Sequence, residues 1–450
     1  MAFKKDFLWG SASSSYQIEG AAYDDGKGLS IWDMFCKESG RVQDGHTGDV
    51  ACDHYHRYKE DVALMKQIGL KAYRFSISWP RILPEGIGKV NEKGLKFYEN
   101  LIDELIAADI TPCATLFHWD YPQALHEKGG WLNPDSSEWF AEYTAVVANR
   151  LGKKLKNFMT LNEPQVFIGL AFQETKKAPG IRYSTKDALQ MSYNVMLSHG
   201  KAVKVLREIV QDVIVGYAPT GNTFYPANPK NSKDIEAAKL ATFDVLSDWG
   251  FTIAWWSDPV MLGIFPEKSF KVFGQNMPKI KPSDLDIMHQ PLDYYGQNIY
   301  HSSPVSSDGK GGYKKTTRPV GHTKTAFGWP VTPEALYWPV KFMYERYKIP
   351  IVITENGMSA HDCVSLDGKV HDPNRINYMQ RYLTSLRQAV GEGVDVMGYF
   401  HWSIMDNFEW EQGYTERFGL IYVDFDTQKR TLKDSAIWYK NVIESNGKKL

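Results

Sequence analysis

Eight short runs rich in β-branched and aromatic residues alternate with longer amphipathic stretches from one end of this chain to the other. The short runs are residues 7–11, 72–78, 111–117, 158–161, 213–218, 294–299, 350–354 and 396–402. Helical patterning fills residues 53–68, 92–108, 136–151, 187–210, 333–347, 375–390 and 433–443. Within 58–68, for example, Val62, Leu64, Met65 and Ile68 recur at three- and four-residue spacing, as a buried helical stripe does. Parallel strands need crossover connections, so the alternation predicts an α/β fold: a single closed (β/α)8 TIM barrel with elaborated βα loops. The alternative, an open doubly wound sheet, lacks a GxGxxG turn after its first strand. No internal repeat or low-complexity linker divides the chain, so residues 1–450 are read as one domain. Residues 225–232, with their prolines, and the Gly/Lys-rich residues 306–317 read as loops, and residues 446–450 as a frayed tail.

Composition excludes several partners. A net charge of −1 gives no electrostatic case for nucleic acid or an anionic membrane. No run approaches a membrane span, and the first residues hold no apolar stretch long enough for a signal peptide, which predicts a cytoplasmic protein. Cys36, Cys52, Cys113 and Cys363 have neither CxxC nor metal-ligand spacing and read as free thiols. His54-x-His56 lies in a helical context with no carboxylate set nearby, so it reads as a capping or surface pair, and neither a metal nor a cofactor is expected. The 14 Trp and 25 Tyr suit a site that stacks flat sugar faces as well as a core. The expected partner is therefore a small molecule, with a homo-oligomer left open.

In a barrel of this kind, chemistry collects at the carboxyl ends of the strands. Those ends carry Gln17, His118-Trp119-Asp120, Asn162-Glu163-Pro164, Asn298-Ile299-Tyr300, Glu355-Asn356-Gly357 and Trp402, followed by Glu409-Trp410. Amides, carboxylates, imidazole and indoles are the groups that recognise neutral polyols. Glu163 and Glu355 each close an apolar run, an expensive place for a carboxylate unless water, a partner or a substrate satisfies it. One strand-end glutamate is usually a loop residue or an ion-pair member; two in these settings suggest an acid and a nucleophile flanking a glycosidic bond. Trp119 and Trp402 read as sugar-facing rather than core because their neighbours are polar. Arg74 reads as a buried ion-pair arginine, which pairing with Glu355 would satisfy.

The chain resembles the β-glucosidases of glycoside hydrolase family 1 in an ordered set of motifs along its whole length. These are Phe7-Leu8-Trp9-Gly10 with Tyr16-Gln17-Ile18-Glu19-Gly20, Tyr73-Arg74-Phe75-Ser76-Ile77-Ser78-Trp79, Thr160-Leu161-Asn162-Glu163-Pro164, Ile353-Thr354-Glu355-Asn356-Gly357, His401-Trp402-Ser403 through Glu409-Trp410, and Gly413-Tyr414 with Arg417-Phe418-Gly419-Leu420. The resemblance implies a retaining exo-β-glucosidase with Glu163 as acid/base and Glu355 as nucleophile, its two carboxyls roughly 5–5.5 Å apart. It implies that Tyr300 and Arg74 orient Glu355 and that Asn162 holds the sugar 2-hydroxyl. The sugar pocket would comprise Gln17, His118, Trp119, Asn162, Asn298, Tyr300, Trp402, Glu409, Trp410 and Phe418.

Phospho-β-glycosidases of the family carry a Ser-then-Lys/Tyr clamp in the loop that here reads Phe408-Glu409-Trp410-Glu411-Gln412-Gly413. A carboxylate at Glu409 would repel a phosphate dianion by roughly 1–4 kcal/mol, so an unphosphorylated β-glucoside or oligosaccharide is expected. One departure concerns the leaving-group side, where Glu174 and Lys177 replace a glycine and a histidine of the family pattern. They are expected to narrow or polarise the entrance, beside Asn222, Phe224 and Trp329. A binding protein without catalysis would have lost a glutamate, and this chain keeps both. A transglycosidase would use the same pair.

Overall fold

The structure, a computed structural model, describes residues 3–450, the side chain of Gln173 excepted. Eight parallel strands close a barrel: β1 (Leu8–Ala12), β2 (Ala72–Ser76), β3 (Thr111–Phe117), β4 (Asn157–Asn162), β5 (Ile214–Ala218), β6 (Tyr294–Asn298), β7 (Ile351–Asn356) and β8 (Val396–Trp402). β1 closes the ring by pairing with both β2 and β8, with Gly10 opposite Ala72 and Phe400. Large and small residues alternate across the barrel interior. A Cβ on Gly10 would lie 2.5 Å from the Phe400 ring, and one on Gly216 would lie 2.1 Å from the ring of Tyr294, so glycine on one strand makes room for an aromatic on the next.

Helices pack around the barrel, including His54–Ile68, Glu92–Ala107, Ser136–Leu151, Thr185–Ile209, Pro373–Gly391 and Asp434–Glu444. Among the described residues, no helix is long and apolar enough to cross a membrane. The stretch expected as one helix over 333–347 is two: a 3₁₀ turn, Pro333–Leu336, then Trp338–Tyr347. Pro339 offers no N–H to carry the ladder across the junction, so the second helix restarts around it. Two expected loops also carry structure. Phe224–Pro226, Ser303–Ser307 and Tyr313–Lys315 form a small three-stranded sheet beside the barrel, and Ser232–Phe243 is a helix. The tail is fastened rather than frayed. Arg387 donates to the carbonyls of Gly447 and Leu450, and Trp9 Nε1 donates to Asn446 Oδ1 at 2.9 Å. His54 is likewise no surface residue: it is buried, 2.7 Å from Asp61, which also pairs with Arg430.

Strand register slips at the ends that matter. β7 shifts against β6 between Ile353 and Glu355 and against β8 between Ile353 and Asn356, and β4 shifts against β5 between Met159 and Asn162. Such irregularities re-aim side chains at the rim of a barrel. Here they fall where Asn162, Glu163 and Glu355 emerge. Gly357, just beyond, lets the β7 and β8 ends approach: a Cβ there would stand 1.9 Å from the Trp402 carbonyl oxygen.

Candidate active site

Arg74, at the middle of β2 and fully buried, organises the floor of the site. Its Nη1 donates to Glu355 Oε1 at 2.6 Å and to the Thr354 carbonyl at 3.0 Å, its Nη2 to Asn162 Oδ1 at 2.6 Å, and its Nε to Thr115 Oγ1 at 3.1 Å. One guanidinium thus joins β2 to β3, β4 and β7, using the planar fork that suits carboxylates. Tyr300 donates its hydroxyl to the other oxygen of Glu355 at 2.7 Å. Burial, then the charge of Glu355, holds the Tyr300 phenol well above its ordinary range, so it stays a donor.

Glu163 occupies the opposite role. It takes a left-handed backbone (φ 47°), costing about 1–3 kcal/mol for a non-glycine residue, and its N–H is anchored on the Ala218 carbonyl at 2.9 Å. Its Oε1 accepts from Asn298 Nδ2 at 2.9 Å, and the same amide donates to Asn162 Oδ1. Burial, then the charge of Glu355, pushes the Glu163 carboxyl up to about 8. Burial raises Glu355 too, but the Arg74 cation and the Tyr300 hydroxyl oppose it. At neutral pH the shared proton therefore sits on Glu163 and the negative charge on Glu355. A neutral acid and an ionised carboxylate in one hollow are what general-acid attack on an acetal requires.

Both carboxyls line one cavity of about 380 Å³, together with His118, Trp119, Lys177, Asn222, Asn298, Tyr300, Trp329, Trp402, Glu409 and Trp410 among the expected residues. His118 and Trp402 lie nearly parallel with ring centres 5.7 Å apart, and Trp119 packs on Trp410 at 4.5 Å. His118 accepts on Nε2 from Asn162 Nδ2 at 3.0 Å, which puts its ring proton on Nδ1. That Nδ1 is buried with no protein partner, and burial holds the imidazole neutral.

Other expected residues stand elsewhere. Gln17 is fully buried behind Glu409, its amide donating to the Phe408 carbonyl at 2.8 Å and to Asn407 at 3.1 Å, with Glu409 only at 3.4 Å. Asn162 also lies behind the wall, its oxygen taken by Arg74 and Asn298. Phe418 backs the wall by packing on Trp329, 5.9 Å between ring centres. Phe224 does not reach the site: it belongs to a separate apolar cluster with Ala238, Val305 and Phe342. Glu174 is exposed and paired with Lys176 at 2.8 Å, off the cavity wall.

The sequence pattern of glycosyl hydrolase family 1 matches residues 1–448. The chain belongs to that family. Beta-glucosidase A of Acetivibrio thermocellus is 45% identical over 455 residues, with 99% of each chain covered. Beta-glucosidase A of Thermotoga maritima is 44% identical over 446 residues, covering 99% of this chain and 98% of its own. The solved structure of the Thermotoga maritima beta-glucosidase in complex with glucoimidazole has a TM-score of 0.91 at 43% identity, covering 99% of both chains.

In this family 1 hydrolase the loop carrying Glu409 and Trp410 rests on a buried ionic lattice. Asp406 receives Arg417 at 2.7 Å and Lys433 at 2.6 Å, and Lys433 also reaches Asp362 at 2.5 Å, itself paired with Arg375 at 2.7 Å. Breaking such a buried set is costly because it strands charges away from water. Burial pushes Glu409 up to about 8, with Lys177 opposing. Lys177 pairs with Glu411 and lies 5.6 Å from the centre of the Trp119 ring.

Several wall residues escaped the sequence reading: Val166, Leu170, Thr220, Phe251, His301, Phe327 and Glu411. Val166 and Leu170 ride on Gln165–Gln173, a wide π-type helix that starts directly after Glu163 and Pro164. Their four-residue spacing was visible but is equally that of a core helix face.

Proposed function

We propose that residues 1–450 form one catalytic unit, a cytoplasmic retaining exo-β-glucosidase that needs no cofactor. It releases terminal non-reducing β-D-glucosyl residues, and β-galactosyl or β-fucosyl ones, from cello-oligosaccharides or aryl and alkyl glycosides. The observation that carries this is the asymmetric pair: Glu355 gripped by Arg74 and Tyr300, facing a cavity shared with Glu163.

In this reading Glu163 gives its proton to the leaving oxygen while Glu355 attacks the anomeric carbon and forms a glycosyl ester. Esterification removes the charge of Glu355, and with it one cause of the raised proton affinity of Glu163. Glu163 then takes a proton from water, whose oxygen attacks the anomeric carbon, breaks its bond to the Glu355 oxygen and frees the carboxylate. His118, on the cavity wall with an unpartnered ring N–H, is suited to a substrate hydroxyl, with Asn162 fixing its ring from behind and Trp402 beneath the sugar. Glu409 supports choice of a sugar over a simple alcohol. Exo action is supported by the tie between Gln17 and the Phe408 carbonyl, which fastens the β1 and β8 loops at that end. The cytoplasmic assignment is consistent with the four free cysteines.

The deciding experiment is Glu355→Gly. It should abolish hydrolysis of β-glucosides yet react with α-glucosyl fluoride, which mimics the missing ester and transfers its sugar to an acceptor. Normal hydrolysis by this variant would show that the nucleophile lies elsewhere. Proton NMR of the native reaction should show β-glucose first; the α anomer first would rule out retention.

A further inference from the structure

The backbone carbonyl of Tyr300 is held from behind by two more tyrosines. Tyr378 and Tyr382 stand four residues apart on the helix Pro373–Gly391 and so share one of its faces. Both are buried, their rings stack with centres 3.9 Å apart, and their hydroxyls donate to the same Tyr300 oxygen at 3.0 and 2.9 Å. One donor would satisfy a carbonyl. Two fill both of its lone pairs and fix the plane of the peptide.

The direction of each donor is fixed in turn. The Thr332 N–H donates to the Tyr382 hydroxyl at 2.7 Å, and the Asn356 amide donates to that of Tyr378 at 3.1 Å, which leaves each hydroxyl proton for the carbonyl. Burial pushes Tyr382 up to about 12 and holds Tyr378 well above its ordinary range, so both stay donors. Asn356 is the residue after Glu355. Its amide also donates to the Ile299 carbonyl at 2.8 Å, and its oxygen accepts from Tyr399 of β8 at 3.0 Å. A loop of contacts therefore closes. Tyr300 meets Glu355 through its hydroxyl, and its carbonyl returns through Tyr378 and Asn356 to the strand that carries Glu355. The Tyr300 ring is only partly buried, 4.9 Å from Trp329 between ring centres, so its backbone is where it is gripped.

Building on the reading of Glu355 as nucleophile, we propose that Tyr378 and Tyr382 are positioning residues for the glycosylation step, holding Tyr300 at hydrogen-bonding distance from Glu355. Glu355 also faces Arg74 from β2, Glu163 from the end of β4 and Glu409 from the loop after β8. Of these four groups, Tyr300 is the one the pair holds.

Tyr378→Phe and Tyr382→Phe keep both rings and remove one donor each. The quantity to follow is kcat/KM for an alkyl β-D-glucoside across pH, in each variant alone and combined with Tyr300→Phe, after a cooperative thermal transition has been checked. Each single variant should lower kcat/KM about 2- to 10-fold, the worth of one neutral hydrogen bond. The acid limb should also move to higher pH, because the Tyr300 hydroxyl opposes protonation of Glu355 and would do so less when loosely held. In the Tyr300→Phe background the same changes should affect neither quantity. Tyr378→Phe leaves Asn356 its bond to Ile299 and Tyr300 its bond to Tyr382, so it decides the matter even if Tyr382→Phe, which orphans the Thr332 N–H, does not fold. An acid limb unmoved in folded Tyr378→Phe, or a loss of equal size with and without the Tyr300 hydroxyl, overturns the proposal and leaves the pair a helix anchor. A limb unmoved in Tyr300→Phe itself would remove the reading of Glu355, and the proposal with it.

Discussion

Replacing Glu163 by Gln keeps the shape of the acid and removes its proton. The native carboxyl, raised to about 8 by burial and by Glu355, is some nine-tenths protonated at pH 7 and one-tenth at pH 9. The direction follows: the acid form works, so kcat should fall about tenfold from pH 7 to pH 9 as the proton leaves. In Glu163→Gln no such proton exists, and the alkaline limb of kcat should vanish. With an alkyl glucoside, whose leaving oxygen needs the proton, kcat should drop about 10²–10⁴-fold at pH 7. With a dinitrophenyl glucoside, which leaves unassisted, glycosylation should survive and the slow step should become attack by water without a base. Azide, which needs no base, should then restore turnover and yield β-glucosyl azide. Following kcat is essential, because Glu409 is also pushed to about 8 and, covered by bound sugar, would act through KM. An alkaline limb in kcat that persists unchanged in Glu163→Gln would refute the assignment.

Two further substitutions test the supports. Tyr300→Phe removes the 2.7 Å hydrogen bond to Glu355, a contact to a charged group worth about 1.5–3 kcal/mol, so kcat should fall about 10- to 150-fold. Without that donor Glu355 binds its proton more tightly, and the acid limb of the pH–rate profile should move to higher pH; an unmoved limb would exclude the role. Lys433→Met leaves the buried set one positive charge short, Asp362 keeping only Arg375 and Asp406 only Arg417, and should cost roughly 3–5 kcal/mol in denaturant unfolding, whereas Lys4→Ala, at the exposed pair with Asp395, should stay within about 1 kcal/mol.

Residues 111–117 and 396–402 could be read from sequence to the residue because each is a buried apolar run bounded by turn chemistry. Glu163, Glu355 and Arg74 were legible for a related reason: a charge inside such a run demands a partner. Less legible was depth. Gln17, Asn162 and Phe418 look like wall residues in the sequence, but distinguishing a wall from the layer behind it depends on strand register, and the slips in β4 and β7 have no one-dimensional signal. Phe224 and Glu174 lie near site residues in sequence and off the cavity in space, Phe224 on the small outer sheet and Glu174 past the end of the π-type helix. The small sheet at 224–226, 303–307 and 313–315 was hidden because two of its strands have only three residues, too few to show alternation.

Arg74 reaches three strands besides its own, and every one of its partners belongs to a barrel strand rather than a loop. The spacing of the reactive groups is consequently a property of the cylinder's girth. Outer segments such as Tyr313–Lys315 are free to be exchanged for those of another barrel without retuning the acid and its counterpart. That separation makes this scaffold a good recipient for grafted entrance loops, with new substrates sought by transplantation and the reaction centre left untouched.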